Sequence, residues 1–158
     1  MRRGGYMKGM YKALDIAKWF LFYNNRVIMT DSDADYISNL KLQKLLYYAQ
    51  GSFLAIKDRP LFDDNLLALE HGPVVNEVYQ EYKKYGTNGI PFEEDYIDNI
   101  SEDDEKLLKE VYKVFGKYSA WGLREMTHNE TPWKETKRNG VISLESIKDY
   151  FKKNYVEA

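Results

Sequence analysis

Residues 38–56 read SNLKLQKLLYYAQGSFLAI, and this stretch sets the architecture that the sequence predicts for the whole chain. Its apolar residues recur at helical spacing and form one stripe: Leu42, Leu45, Leu46, Ala49, Phe53 and Ile56. Further apolar residues widen that stripe: Leu40, Tyr47, Tyr48 and Leu54. Because a helix that is apolar over most of its circumference packs between other elements, we predict that this is the central helix of the fold.

The polar residues of the same stretch complete the prediction. The hydroxyl of Ser38 is placed to cap the first turn, because it can accept a hydrogen bond from a free backbone N–H there. The other polar side chains are expected to mark the wetter side of the helix: Lys41, Gln43, Lys44, Gln50 and Ser52.

The totals limit the class of protein. The chain has 158 residues, a formal net charge of −2 and no cysteine. This length suits one domain with its own core. Without cysteine, an apolar signal segment or a membrane-length run, the sequence predicts a cytoplasmic protein with no disulfide and no membrane partner. Its 14 Tyr, 7 Phe and 3 Trp suit a protein interface and a core equally well.

Other patterns predict further helices and one short strand. Residues 11–23 form a helix with a narrow polar edge, which ends at Asn24 and Asn25. Further helices are expected over residues 74–85, 101–115 and 118–127, with new helices entered at Thr131 and capped at Ser143. Residues 66–70 are favoured as a strand.

The strand is expected to stop at His71-Gly72-Pro73, with Pro73 in the first turn of the following helix. The predicted fold class is therefore mainly α, a compact multi-helix single domain with a small β element. Residues 10–158 form that domain, and residues 1–9 are predicted to be a disordered tail or an expression remnant ahead of a later native start.

Neither histidine lies in a motif that carries chemistry. Glu70 and His71 would point to opposite faces of a strand, and no H-E-x-x-H spacing is present. His128-Asn129-Glu130 is similar to the H-x-E of zinc deaminases, but that site needs cysteines. We predict no enzyme activity, no catalytic or metal-binding residue and no cofactor. His71 is expected to hydrogen-bond near its turn, and His128 to act as a cation at a helix end. A small metal hydrolase remains as an alternative.

Residues 118–138 are also compatible with a DNA-binding function. They have the length of a helix-turn-helix and carry Lys134, Lys137 and Arg138. The second helix would enter the groove with Pro132-Trp133, which is a bulky start, and the net charge gives no overall attraction to nucleic acid. DNA is therefore an unlikely partner, and a transcriptional regulator of phage or bacterial origin is the alternative function.

Several blocks together resemble a known family. They are LKLQKLLYYAQ at 40–50, PLF at 60–62, HGPVV at 71–75 with VY at 78–79, YSAWGL at 118–123, TH at 127–128 and PWK at 132–134. In order and spacing these blocks are similar to the Panacea domain of SocA-like antitoxins. The resemblance implies a bacterial or prophage-borne, mostly helical type II antitoxin. Such a protein neutralises a cognate toxin by direct binding, and some relatives hand the toxin to a cytosolic protease.

The same blocks supply the candidate partner-binding residues. They are Lys41, Gln43, Lys44, Tyr47, Tyr48, Gln50, His71, Gly72, Pro73, Val74, Tyr79, Trp121, His128 and Trp133. Gly72 and Pro73 have an alternative role as builders of a turn, and Trp121 and Trp133 as core residues or groove walls. The identity of the toxin, the binding face and the oligomeric state stay open.

Overall fold

The helix predicted over residues 38–56 lies at the centre of the molecule as α2, Asn39–Lys57. A computed structural model describes residues 2–3, 6–7, 9–31 and 33–156. Helix α2 contacts α1 (Ala13–Thr30), α4 (Glu102–Phe115), α5 (Ala120–His128) and α7 (Leu144–Phe151). Its cap is confirmed, because the backbone N–H of Lys41 donates to Ser38 Oγ over 3.3 Å.

The remaining elements are short. Two further α-helices are α3 (Asn76–Tyr82) and α6 (Thr131–Lys134). A 3₁₀ turn at Lys83–Tyr85 follows α3, and a π-helical turn at Lys152–Val156 follows α7. The strands are β1 (Arg2–Arg3), β2 (Tyr6–Met7), β3 (Ile37–Ser38), β4 (Leu67–Leu69), β5 (Gly72–Val74) and β6 (Gly89–Ile90). They pair antiparallel as β1–β2, β3–β6 and β4–β5. The mainly α class with a small β element is confirmed.

Two helix boundaries differ from the prediction. Helix α1 continues past Asn24 and Asn25 to Thr30. Asn24 is buried, its Nδ2 donates to the Asp35 carbonyl over 3.0 Å, and its Oδ1 accepts from the Tyr112 hydroxyl over 2.6 Å. Because these tertiary partners satisfy the amide inside the helix, it has no need to end the helix as a cap.

The second difference concerns Pro73, which lies in strand β5 and not in the first turn of a helix. The β4–β5 hairpin places Leu67 opposite Val74, Ala68 opposite Pro73 and Leu69 opposite Gly72. Helix α3 starts only at Asn76. The strand predicted over 66–70 is confirmed as β4, but the prediction missed its partner strand.

The wetter side predicted for α2 is wrong. Gln43, Lys44, Gln50 and Ser52 are all buried, and only Lys41 is half-buried. Each of these side chains has an internal partner. Gln50 is typical: its Oε1 accepts from the Leu61 N–H over 2.7 Å and its Nε2 donates to the Phe62 carbonyl over 2.9 Å. Gln43, Lys44 and Gln50 thus fasten the segments around residues 61–75 to the central helix, and Ser52 donates to the Tyr48 carbonyl of the same helix.

Among the described residues, no helix has the length and apolar character needed to cross a membrane. Met1, Gly4, Gly5 and Lys8 lie outside the described residues, so the tail predicted for residues 1–9 and the domain limits derived from it stay predictions.

Candidate functional site

A groove with mostly apolar walls opens where α2, the β4–β5 hairpin, α3 and α5 meet. It encloses about 630 Å³. Its lining residues are Asn39, Leu40, Gln43, Leu69, Glu70, His71, Val74, Tyr79, Lys83, Gly86, Thr87 and Trp121. These residues come from four separate parts of the chain, so the fold of the whole domain is needed to form the groove.

Two amides in the lining are already occupied by protein partners. Asn39 Nδ2 donates to the Tyr79 carbonyl over 3.1 Å, and Asn39 Oδ1 accepts from Gln43 Nε2 over 3.0 Å. Gln43 Oε1 accepts from the backbone N–H of Val75 over 2.9 Å. Both side chains are buried. The amides therefore hold α3 and the end of β5 against α2. The oxygen and the nitrogen of each amide both bond to protein groups.

The hairpin rests on a buried lysine of α2. Lys44 is 0% exposed, and its Nζ donates to the Pro73 carbonyl over 2.9 Å. Gly72 lies directly over this side chain with a φ of +109°, and a Cβ there would come within 2.8 Å of both Lys44 Cε and Thr127 Oγ1. Glycine is therefore needed at residue 72 for its backbone conformation and for the close approach of the lysine.

Burial, with a smaller contribution from the Arg124 guanidinium, lowers the pKa of the Lys44 ammonium to about 7. Among the described residues the Lys44 amine donates to one acceptor, the Pro73 carbonyl, although an ammonium has three N–H donors. Lys44 is thus a positioning residue under the hairpin, and it is not exposed to a partner.

Trp121 and His71 form one wall of the groove, and Arg124 contacts both side chains. Trp121 is 56% exposed, and the Arg124 guanidinium lies over its ring at 4.3 Å from the centroid. Arg124 Nε also donates to His71 Nδ1 over 3.0 Å, which confirms that His71 hydrogen-bonds near its turn. The cation–π contact and the hydrogen bond hold the indole and the imidazole in place at the mouth of the groove.

The opposite wall carries Tyr79, which is 38% exposed. Lys83 and Glu70 lie at the rim, and both are exposed. Within the described part of the chain, neither of these two side chains forms an ion pair. The groove therefore combines an apolar interior with a charged edge, which is the usual anatomy of a protein interface.

His128 and Trp133 lie behind the hairpin and outside the groove lining. Their rings stack with centroids 3.9 Å apart and an interplanar angle of 7°. Trp133 Nε1 donates to the Leu69 carbonyl over 2.8 Å, so this tryptophan supports β4. Burial lowers the pKa of His128, and Arg124 lowers it further, which favours a neutral ring over the helix-end cation that the sequence predicts.

The basic cluster considered for DNA binding is divided in the structure. The Arg138 guanidinium stacks on the Trp133 ring at 3.9 Å from the centroid, and its NH1 donates to the Ala68 carbonyl over 3.3 Å. Lys134 and Lys137 keep their side chains near the surface. Arg138 is also exposed, but its guanidinium is held by Trp133 and Ala68, so only the two lysines of the cluster are without these contacts.

Tyr47 and Tyr48 lie further along α2 and converge on Glu130. Their hydroxyls donate to Glu130 Oε1 and Oε2, each over 2.9 Å, and the Tyr155 hydroxyl also donates to Oε2. Burial raises the pKa of the Glu130 carboxyl, and the three hydroxyl donors counteract part of that rise. These tyrosines are core residues that join α2 to α6 and the C-terminal turn.

The structure therefore divides the predicted set of partner-binding residues. Gln43, His71, Val74, Tyr79 and Trp121 come together around the groove. The others support it or lie in the core: Lys41, Lys44, Tyr47, Tyr48, Gln50, Gly72, Pro73, His128 and Trp133. A partner-binding role for any of the fourteen stays a prediction.

Sequence reasoning missed Leu69 and Lys83 in the groove lining, Arg124 as the partner of Trp121 and His71, and Glu130 as the centre of the tyrosine cluster. Arg124 stands three residues after Trp121 on the same helix, and that spacing is a signal for a side-chain contact. No local signal marks the other three. Among the described residues, no group of three or more His, Cys, Asp and Glu side chains could hold a metal ion.

Comparison with known proteins gives two matches. The family model described as "Antitoxin SocA-like, Panacea domain" matches residues 42–134. The protein named Antitoxin SocA from Caulobacter vibrioides (strain NA1000 / CB15N) is 33% identical over 109 residues, which cover 61% of this chain and 58% of that relative. This chain thus spans less than two thirds of the relative's length. No solved structure matches.

Proposed function

We propose, since this chain belongs to the family of SocA-like antitoxins with a Panacea domain, that it neutralises a cognate toxin by direct, non-covalent protein–protein binding. The family match is the observation that carries this proposal. It covers most of α2, the β4–β5 hairpin, α3 and α5, which are the elements that form the groove.

The geometry of the groove supports a binding role. Trp121 and Tyr79 expose aromatic surface at its walls, and Arg124 holds the indole in place. Tryptophan, tyrosine and arginine are the residues that contribute most often to the binding energy of protein interfaces. Under this proposal the antitoxin acts in the cytoplasm of a bacterium, where its toxin is made.

Neutralisation has two routes within this proposal. The antitoxin either covers the active surface of the toxin and leaves its amount unchanged, or it also delivers the toxin to a cytosolic protease. The half-life of the toxin separates these routes. Delivery shortens the half-life when the antitoxin is present and the shortening is lost in a protease-deficient strain, whereas covering leaves the half-life unchanged.

The experiment is expression of the neighbouring gene in bacteria, with and without this chain. We expect growth to stop with the neighbour alone and to recover with both proteins. A copy of this chain with a stop codon in α2 is the control for the effect of the second plasmid. A harmless neighbour, or a toxic one that this chain does not suppress or bind after purification, contradicts the proposal.

A further inference from the structure

We propose that the groove receives an amphipathic α-helix of the toxin, with the apolar face of that helix against Leu40, Leu69, Val74, Tyr79 and Trp121. This inference rests on the proposed antitoxin function and adds to it the binding face and the secondary structure of the bound segment. It follows from three properties of the groove: its apolar walls, the paired edges of its hairpin, and its charged rim.

The apolar walls determine the side chains that fit. The two amides in the lining, Asn39 and Gln43, already bond to each other, to Tyr79 and to Val75. A site for a small polar ligand would offer several converging polar groups, whereas the two amides of this lining bond within the protein and its charged side chains lie at the rim. The occupant therefore presents apolar side chains to the groove.

The hairpin edges exclude an added strand. On the β5 edge, Pro73 has no N–H, its carbonyl accepts from Lys44 Nζ, and the Val75 N–H donates to Gln43. On the β4 edge, the Ala68 N–H donates to the Gly140 carbonyl and the Ala68 carbonyl accepts from the Asn139 N–H. Neither edge offers the row of free backbone groups on which a peptide strand pairs.

A helix is the element that satisfies its own backbone. Any segment buried in this groove loses water from its backbone N–H and C=O groups, and the groove supplies few replacements. In a helix those groups bond within the segment, so only side chains need to match the surface. An apolar groove without a free strand edge is the surface that an amphipathic helix recognises.

The rim determines the charge on the toxin helix. Lys83 and Glu70 are exposed there without an ion pair among the described residues, whereas Arg124 already contacts His71, Trp121 and Glu125. Lys83 is thus available for a carboxylate of the toxin. A rim charge of this kind mainly affects the association rate and its salt dependence.

The first test measures the affinity of purified toxin, the product of the neighbouring gene, for variants of the full chain. We expect Trp121→Ala to weaken binding by about 30-fold or more and Tyr79→Ala by about 10-fold. The structure offers matched controls outside the groove: Tyr36→Ala, at 50% exposure against 56% for Trp121, and Tyr118→Ala, at 38% exposure like Tyr79. Both controls should bind within about twofold of the wild type. Lys83→Glu should slow association at low salt.

The second test identifies the bound segment. Synthetic peptides that tile the toxin are added to the complex, and the peptide that displaces the toxin is followed by circular dichroism. We expect one peptide to compete, to gain helix when bound, and to lose competition when a proline replaces its central residue.

The outcomes separate this inference from the function on which it rests. If Trp121→Ala and Tyr79→Ala bind toxin as tightly as Tyr36→Ala and Tyr118→Ala, or if the competing peptide binds without helix, the groove assignment is wrong while the antitoxin function stands. If the wild-type chain itself neither binds nor suppresses the neighbour, the proposed function fails, and the groove assignment fails with it.

Discussion

The tyrosine cluster around Glu130 and the groove beside Trp121 use the same kinds of side chain at two places along α2. In the cluster, Tyr47 and Tyr48 are fully buried and each hydroxyl bonds to the carboxylate. In the groove, Trp121 and Tyr79 lie partly in water with aromatic surface uncovered. The difference teaches that aromatic content alone does not separate a binding surface from a core, because the same residue types are buried in one region and exposed in the other.

The largest expected effect is on the cluster. Glu130→Ala leaves the buried hydroxyls of Tyr47 and Tyr48 without their acceptor and also removes the acceptor of the partly exposed Tyr155 hydroxyl. We expect the free energy of unfolding to fall by about 3 kcal/mol or more, as measured by urea denaturation. Glu135→Ala, at an exposed position five residues later, should change it by less than about 0.5 kcal/mol. If the two substitutions changed the free energy of unfolding equally, the cluster would not be a stabilising element of the core.

A smaller effect is expected at the hairpin that separates the two regions. Gly72→Ala puts a Cβ against Lys44 and Thr127 at a positive φ, and we expect a loss of about 2 kcal/mol in the same assay. Gly86→Ala is the matched control, because Gly86 also has a positive φ but nothing lies within 4 Å of the added carbon. If Gly72→Ala lowered the free energy of unfolding no more than Gly86→Ala, the Lys44 side chain below the hairpin would move aside without strain.

Much of the fold could be predicted because its signals are local. Ser38, Ser101 and Ser143 each accept from a backbone N–H three residues later, and this spacing is visible in the sequence. The central position of α2 followed in the same way from its own apolar residues. The inward direction of Gln43, Lys44 and Gln50 could not be predicted, because their partners lie in residues 61–75 and no periodic pattern within α2 reports on them.

The candidate site was less accessible to prediction for the same physical reason. The groove joins the start of α2 to Leu69, Tyr79 and Trp121, which are far apart in the sequence. The family-like blocks indicated His71, Val74, Tyr79 and Trp121, but they also included core residues such as Tyr47 and Tyr48. Only the packing of α3 and α5 against α2 separates the exposed aromatics from the buried ones.

The pH dependence of stability tests the buried lysine that supports the groove. Burial holds the pKa of Lys44 at about 7 in the folded protein, below its ordinary value of 10.5. Between these values the unfolded chain binds more protons, so stability rises with pH through this window and the gain is lost as pH falls through 7. We expect the wild type to gain about 1 kcal/mol relative to Lys44→Met between pH 7 and pH 8. Parallel pH profiles for the two proteins would contradict a lysine that deprotonates in this range.

The smallest expected effect on the free energy of unfolding is that of Trp121→Ala, and it best distinguishes a groove residue from a core residue. Trp121 is more than half exposed and its main partner is the Arg124 guanidinium, so Trp121→Ala should lower the free energy of unfolding by only about 0.5 kcal/mol. Substitution of an interface residue lowers the affinity for the toxin without lowering the free energy of unfolding, whereas substitution of a core residue lowers both. The urea midpoint of Trp121→Ala should therefore stay close to that of Tyr36→Ala, while its affinity for the toxin falls well below. If Trp121→Ala instead destabilises the protein by about 2 kcal/mol or more, the indole belongs to the core, and the difference between the cluster and the groove disappears.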